Sequence, residues 1–307
     1  MLMQLLRRVA GALPTLLALA TLTFFLMRMA PGGPFDRERQ LSPAVERALE
    51  HAYHLDESVW AQYVDYMKGL LHGDLGPSFQ YEDERVTELI AAGAPVSMGL
   101  GGMAILLALL VGLALGTCAA LRQNSVLDRF LMGSAVLGMS VPSFVIAPAL
   151  ILVLAIKLGW LPAGGWSRGE WRDIVMPVIA LALPQVAAIA RLARGSMIEA
   201  LDSDFVRTAR AKGLGAGRVV IVHALRPAFV PLLSYLGPAA AGVMTGSVVV
   251  ERIFGVPGIG RYFVNAALNR DYTLVLGVVL FYGTIIIVFN FVVDVLYAVV
   301  DPRIRRG

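Results

Sequence analysis

Few residues in this chain are equipped for chemistry, and their spacing narrows what they can do. His51 and His54 stand three apart with His72 further on, a spacing that would seat a metal, but no cysteine or carboxylate pattern completes such a site. The bland alternative is three exposed or interfacial histidines. The three lysines, Lys68, Lys157 and Lys212, are followed by Gly69, Leu158 and Gly213, whereas a phosphate-cradling P-loop needs Ser or Thr after its lysine. No G-x-S-x-G occurs, and no histidine falls inside an apolar run, so a nucleophile with its base at membrane depth is not available. Asp294 is the one carboxylate deep in an apolar run. It is a transport carboxylate or a structural partner for Arg191 or Arg194.

The elements that hold these residues are set by composition. The 307 residues are 57% hydrophobic and 16% charged, with a mean hydropathy of +0.71, which is the signature of an integral membrane protein. Runs long enough to cross about 30 Å of hydrocarbon occur six times, at 9–29, 96–121, 130–156, 174–193, 228–249 and 273–299. Pro142 and Pro148 predict a kink or break in the third. The first run resembles a signal peptide, but Arg28 and Pro31 spoil the cleavage pattern, so a retained helix is expected. Fourteen of the 26 basic residues lie in 1–8, 122–129, 191–226 and 301–307, against six in the short loops 157–173 and 250–272. The positive-inside rule then puts both termini in the cytoplasm. That asymmetry accounts for the isoelectric point of 9.4 without a nucleic-acid partner. Cys118, the only cysteine, lies in the second run and is expected to be a small buried packing residue.

Between the first two runs, residues 31–93 carry 12 acidic and 5 basic residues and fall on the external side. Ser42 and Pro43 read as a helix start, Trp60, Tyr63, Val64, Met67, Leu70 and Leu71 repeat at helical spacing, and Gly73 closes the run. A helical cap of this size without disulfides must lean on the membrane domain or on a partner.

Residues 204–231, DFVRTARAKGLGAGRVVIVHALRPAFVP, interrupt two membrane runs with a basic, Gly-punctuated segment. Asp202 or Ser203 would cap a short helix from about Phe205, and Gly213 would stop it in a left-handed conformation. Phe205, Thr208, Ala209 and Lys212 are expected on one side, with Arg207 and Arg210 on another. After Gly215 and Gly217 a second short helix would run through Arg218 to Ala224, with Pro227 opening the next span. An ordinary positive-inside loop and a docking elbow for another protein both fit.

The segment resembles the coupling loop of bacterial ABC importer permeases in the form R-T-A-R-A-K-G of their peptide-transporter branch. Arg207 and Thr208 depart from the general Glu-Ala pattern, while Ala209 and Gly213 match it. RMAPGGPF (28–35), HGDLGPSF (72–79), VPSFV (141–145), ARGSMIEAL (193–201), GVPGIG (255–260), NRDYTLV (269–275) and DVLYAVVDPRIR (294–305) are similar, in this order, to the B-type membrane subunit of oligopeptide permeases.

That resemblance implies an all-α, six-helix type I ABC importer permease fold in the bacterial inner membrane. The domains would be residues 1–30 (cytoplasmic N-terminus and first span), the cap 31–93, a five-helix core 94–300 with coupling loop 194–226, and a cytoplasmic tail 301–307. It implies a homologous second permease, two cytoplasmic ATPases that use ATP and Mg, an external substrate-binding protein and a peptide substrate, with no cofactor or catalysis in this chain. Phe205, Arg207, Thr208, Ala209, Arg210, Lys212, Gly213 and Arg218 would meet the ATPase. Pro142, Phe254, Pro257 and Asp294 are candidates for gate or structural roles. Dipeptide, glutathione or nickel cargo belongs to the same family. An ion-driven carrier or a membrane scaffold is the reading from outside it.

Overall fold

A backbone that crosses a bilayer must satisfy its own hydrogen bonds, and this chain does so with helices. A computed structural model of the protein describes residues 2–29, 33, 42–81, 83–167 and 169–300. The tail 301–307 and most of RMAPGGPF therefore lie outside the described residues. In chain order the helices are α1 (Leu2–Met29), α2 (Pro43–Ala52), α3 (Val59–Leu71), α4 (Val86–Leu121), α5 (Val126–Ser140), α6 (Ser143–Leu150), α7 (Trp171–Asp202), α8 (Asp204–Ala211), α9 (Ala216–Arg218), α10 (Leu225–Phe254), α11 (Ile259–Asn269) and α12 (Tyr272–Val300). Wider π-helical turns extend α6 over Ile151–Lys157 and join α9 to α10 over Val219–Ala224.

Five of these helical stretches are long and apolar enough to span a membrane, and the pair α5–α6 makes a sixth if it is counted as one span. The pair bends by 103°. Pro142 causes the break: the proline ring excludes the helical conformation for its predecessor, and Val141 is accordingly extended at φ −94°, ψ 117°. Pro148, also expected to kink or break this span, sits inside α6 and is followed by the π-helical stretch. The second span starts at Val86, ten residues before the expected position, so the last part of the expected cap is the first turns of α4.

The chain divides into two units, Met1–Val96 with Pro257–Ile287, and Ser97–Val256 with Val288–Gly307. In the first, α2 begins at Ser42 with Pro43 at its first position, though the serine side chain makes no cap bond. Gly73 follows the end of α3 at φ +75°. Helix α3 packs on α1. Tyr63 shares a hydrogen bond with Thr21 at 2.9 Å and stacks on Phe25, and Phe24 meets both Tyr63 and Tyr66. A core of Val86, Leu89, Ile90, Ile259, Tyr262, Leu274 and Val278 joins α4, α11 and α12.

One carboxylate locks this unit's loops. Arg270 takes a left-handed φ of 58°, which turns fully buried Asp271 inward. One Asp271 oxygen caps α12 by accepting from Leu274 N at 3.1 Å and Thr273 Oγ1 at 3.0 Å. The other accepts from the Ser78 hydroxyl and from the backbone of Phe79 and Gln80 at 3.0 and 3.2 Å. The motifs HGDLGPSF and NRDYTLV, nearly 200 residues apart, thus meet at one side chain.

The second unit has its own lock. Asp128 accepts both arms of the Arg194 fork, at 2.6 and 2.7 Å, and the Asn124 amide at 2.8 Å. Its side chain is 3% exposed and that of Arg194 26%. The pair ties the start of α5 to α7. Close packing does the rest: a Cβ on Gly116 would come within 2.4 Å of the Ala190 carbonyl, so α4 and α7 pack backbone to backbone there.

Two measurements test these locks. Asp271→Ala leaves several inward-facing donors without an acceptor, at about 1 to 3 kcal/mol each. It is expected to lower the thermal midpoint of the detergent-purified chain and open residues 72–85 to protease, with Asp271→Asn milder. Arg194→Ala strands a buried carboxylate and should cost about 3 kcal/mol. Unchanged melting of either Ala variant would mean that these contacts contribute little.

Candidate functional site

The elbow after α7 is bounded by two small residues, Ser203 at its start and Gly213 at its end. Ser203 is extended at φ −70°, ψ 153°, which ends α7. Its hydroxyl donates to the Ala200 carbonyl at 2.5 Å while its own carbonyl accepts from Arg207 N to start α8. So Ser203, one of the two expected caps, occupies the cap position but spends its side chain on the helix before. At the other end Leu214 N donates to Ala209 O at 3.3 Å and Gly213 N to Arg210 O at 2.9 Å. That paired closure requires a left-handed residue, and Gly213 supplies it at φ +77°.

Helix α8 is held by an inner stripe of two residues, Val206 at 0% and Ala209 at 4% exposure. They pack into a core with Ala120, Met197, Ala200, Val219, Ala224 and Ala228, flanked by Leu214. Alanines dominate this core, so the elbow lies close to the ends of α4, α7 and α10. The rest of α8 faces outward: Phe205 is 48% exposed, and Arg207, Thr208, Arg210, Ala211, Lys212, Gly213 and Arg218 are exposed as well. Thr208 bonds its hydroxyl to Asp204 O at 2.8 Å, and Arg207 reaches Asp204 only at 3.4 Å between two exposed side chains. The outward face thus carries one aromatic ring among unburied cations.

Two expectations need correction. Ala209 was expected on the docking side with Phe205, but it belongs to the inner stripe at three-residue spacing from Val206, and its methyl is covered by this chain. Its role is to seat the elbow. Pro227 does not open a new helix either, because Ala216–Phe254 runs as one helical stretch. The π-helical turns over Val219–Ala224 lie just before the proline, where an α-helix would clash with its ring. Val206 was not singled out from sequence, nor were Ile221 and Val222, which are 66% and 52% exposed beside Arg218. Two β-branched residues in a short basic stretch were the available signal.

The remaining candidates fall elsewhere. Arg194, an expected partner of Asp294, gives its fork to Asp128, and Arg191 turns toward Met139 Sδ. Asp294 is half-buried on α12. Phe254 is 2% exposed and its carbonyl accepts from Gly165 N at 2.7 Å. Pro142 forms the α5–α6 break, and Pro257 lies between Gly255, left-handed at φ +66°, and the cap of α11 at Gly258. The histidines bond locally: His51 to Asp56 at 3.1 Å, His54 to Glu57 at 2.9 Å and His72 to the Lys68 carbonyl at 2.8 Å. Among the described residues no group of three or more His, Cys, Asp or Glu gathers to hold a metal.

Comparison with known proteins agrees with this architecture. The chain is 53% identical over 299 residues to the oligopeptide transport system permease protein OppB of Haemophilus influenzae, covering 97% of this chain and 98% of that protein. It is 44% identical over 291 residues to the dipeptide transport system permease protein DppB of Bacillus subtilis, covering 95% and 94%. An inward-facing MetNI methionine ABC transporter structure superposes with a TM-score of 0.57 at 16% identity, over 70% of this chain and 97% of that one, and so shares the fold. Residues 1–100 match the N-terminal component of binding-protein-dependent transport system membrane proteins. With residues 104–306 matching the main component as well, the chain belongs to the family of binding-protein-dependent transport system inner membrane components.

Proposed function

We propose that the chain is one of two homologous membrane subunits of an ATP-driven oligopeptide importer and that α8 is its coupling helix. The observation that carries this reading is the two-faced elbow: Val206 and Ala209 are locked into the chain's own core while Phe205 and a set of cations stand outward. A helix fastened on one side and presenting an aromatic anchor on the other passes on a push without deforming. Two cytoplasmic ATPases would close on ATP and Mg, move the elbow, and tilt the spans between inward-open and outward-open states. Phe205, Thr208, Lys212 and Gly213 form the contact, with Arg207, Arg210 and Arg218 at its rim. Both termini and the loop 194–226 are cytoplasmic, the segment 31–93 is external, and a substrate-binding protein delivers the peptide there. Pro142, Phe254, Pro257 and Asp294 are candidates for gate or structural roles.

Oligopeptide cargo is supported by the higher identity to an oligopeptide permease than to a dipeptide one. Dipeptide cargo is the second reading, and competition between tripeptides and dipeptides for uptake separates them. The family reading leaves nucleotide chemistry to the partner ATPases. The purified chain, freed of its partners, is therefore expected to give no heat of ATP binding, and a saturable signal would overturn that division of labour.

For the elbow, Phe205→Ala combined with Lys212→Glu should leave the melting of the chain unchanged yet reduce ATPase retention on co-purification and peptide uptake several-fold. Full retention with normal uptake would reduce α8 to a positive-inside loop. Ala209→Glu is expected to differ in kind. It forces a carboxylate into an alanine-lined core at a cost of several kcal/mol, so it should lower melting before any effect on docking can be read.

A further inference from the structure

In the first unit, a cavity of about 230 Å³ lies beside the end of α1 and is walled by aromatic and apolar groups including Phe24, Phe79 and Tyr272. Two hydrogen-bond donors in its lining lack acceptors. Arg28 gives its Nε and one terminal nitrogen to Gln62 Oε1 at 2.9 and 2.7 Å, while the other terminal nitrogen, NH1, is buried with no partner. The Tyr66 hydroxyl, in the same lining, is also buried and unpartnered. Burial pushes the Tyr66 phenol above its usual range, with the Arg28 charge opposing, so it stays protonated as a donor at ordinary pH.

The arrangement is held in place rather than left to chance. Gln62 donates its amide nitrogen to the carbonyls of Leu55 and Glu57 at 3.1 and 2.9 Å, which fixes its oxygen toward Arg28. The guanidinium lies over the Phe24 ring at 3.7 Å. No carboxylate among the described residues pairs with it, and Asp65, which also lines the cavity, is bonded to Lys68 at 3.0 Å. A guanidinium arm and a phenol on residues that line one pocket, both without acceptors, are donors for an oxyanion. The level is that of lipid phosphates whichever way the helix points. Arg28 is the last residue but one of the span Ala10–Met29, and Leu22, Leu26 and Met29 on the same turns are 62%, 64% and 79% exposed. Trp60, Tyr63 and Tyr66 supply the aromatic residues that favour this depth.

We propose that this cavity binds a phosphate oxyanion and that the headgroup of a membrane phospholipid supplies it. The lipid would complete the Arg28 and Tyr66 hydrogen bonds and brace α1 against α3.

The test uses the full chain, purified with its co-purifying subunits and reconstituted with phosphatidylglycerol, and counts phospholipids retained per chain by native mass spectrometry after detergent washing. Wild type is expected to keep one phospholipid more than Arg28→Gln, and Tyr66→Phe, which removes a single oxygen and spares the packing, is expected to lose it several-fold faster. Thermal melting of Tyr66→Phe reports that it is folded. Equal retention in wild type and Tyr66→Phe would overturn the proposal. So would displacement of the lipid by millimolar inorganic phosphate, which would make this a free-ion site, or by a glutamate-containing peptide, which would assign it to an acidic segment of a partner protein.

Discussion

Hydrocarbon offers no hydrogen bonds, and from that constraint the rest of the structure follows. Each long helix satisfies its own backbone, so irregular chain is confined to helix ends, breaks and connecting segments. Those sites then need polar partners of their own. Buried carboxylates meet part of that need in each unit: Asp271 gathers the donors of residues 78–80 and the start of α12, and Asp128 gathers Asn124 and the Arg194 fork. Neither residue is catalytic. Each fixes the geometry of a turn whose exposed neighbours can then meet another molecule in a defined pose.

The same economy explains why small residues recur where helices meet. Without a hydrophobic drive between helices in lipid, contact depends on close approach. Gly116 against Ala190 and the alanines around Val206 and Ala209 provide it. A coupling helix seated on alanines has little side-chain slack, which suits an element proposed to transmit displacement. The exposed Phe205 beside it is the counterpart: a large ring costs free energy in water and gains by entering a partner's cleft.

Where a polar group is left without its own carboxylate, the structure points outward. Arg28 is supported by Gln62 and Phe24 but not neutralised among the described residues, at the end of the span Ala10–Met29. Arg194, by contrast, is paired within the fold. Residues of one type thus serve two purposes according to what the neighbouring helices supply.

Much of this was legible from sequence alone. The apolar runs, the break at Pro142, the helix starts after Ser42 and Ser203, and the left-handed Gly213 follow from local rules: helix length, proline sterics and glycine's freedom at positive φ, although neither serine caps its helix with its side chain. Local rules fail where the deciding partner is distant in sequence. That Asp271 binds residues 78–80, that Arg194 belongs to Asp128 and not to Asp294, and that Ala209 faces inward beside Val206 depend on which helices pack together. An arc of residues on a helical wheel does not say which side is covered, and spacing does not say which charges meet. Only the tertiary structure decides those, because burial and pairing are properties of two surfaces and the sequence of one segment carries only its own.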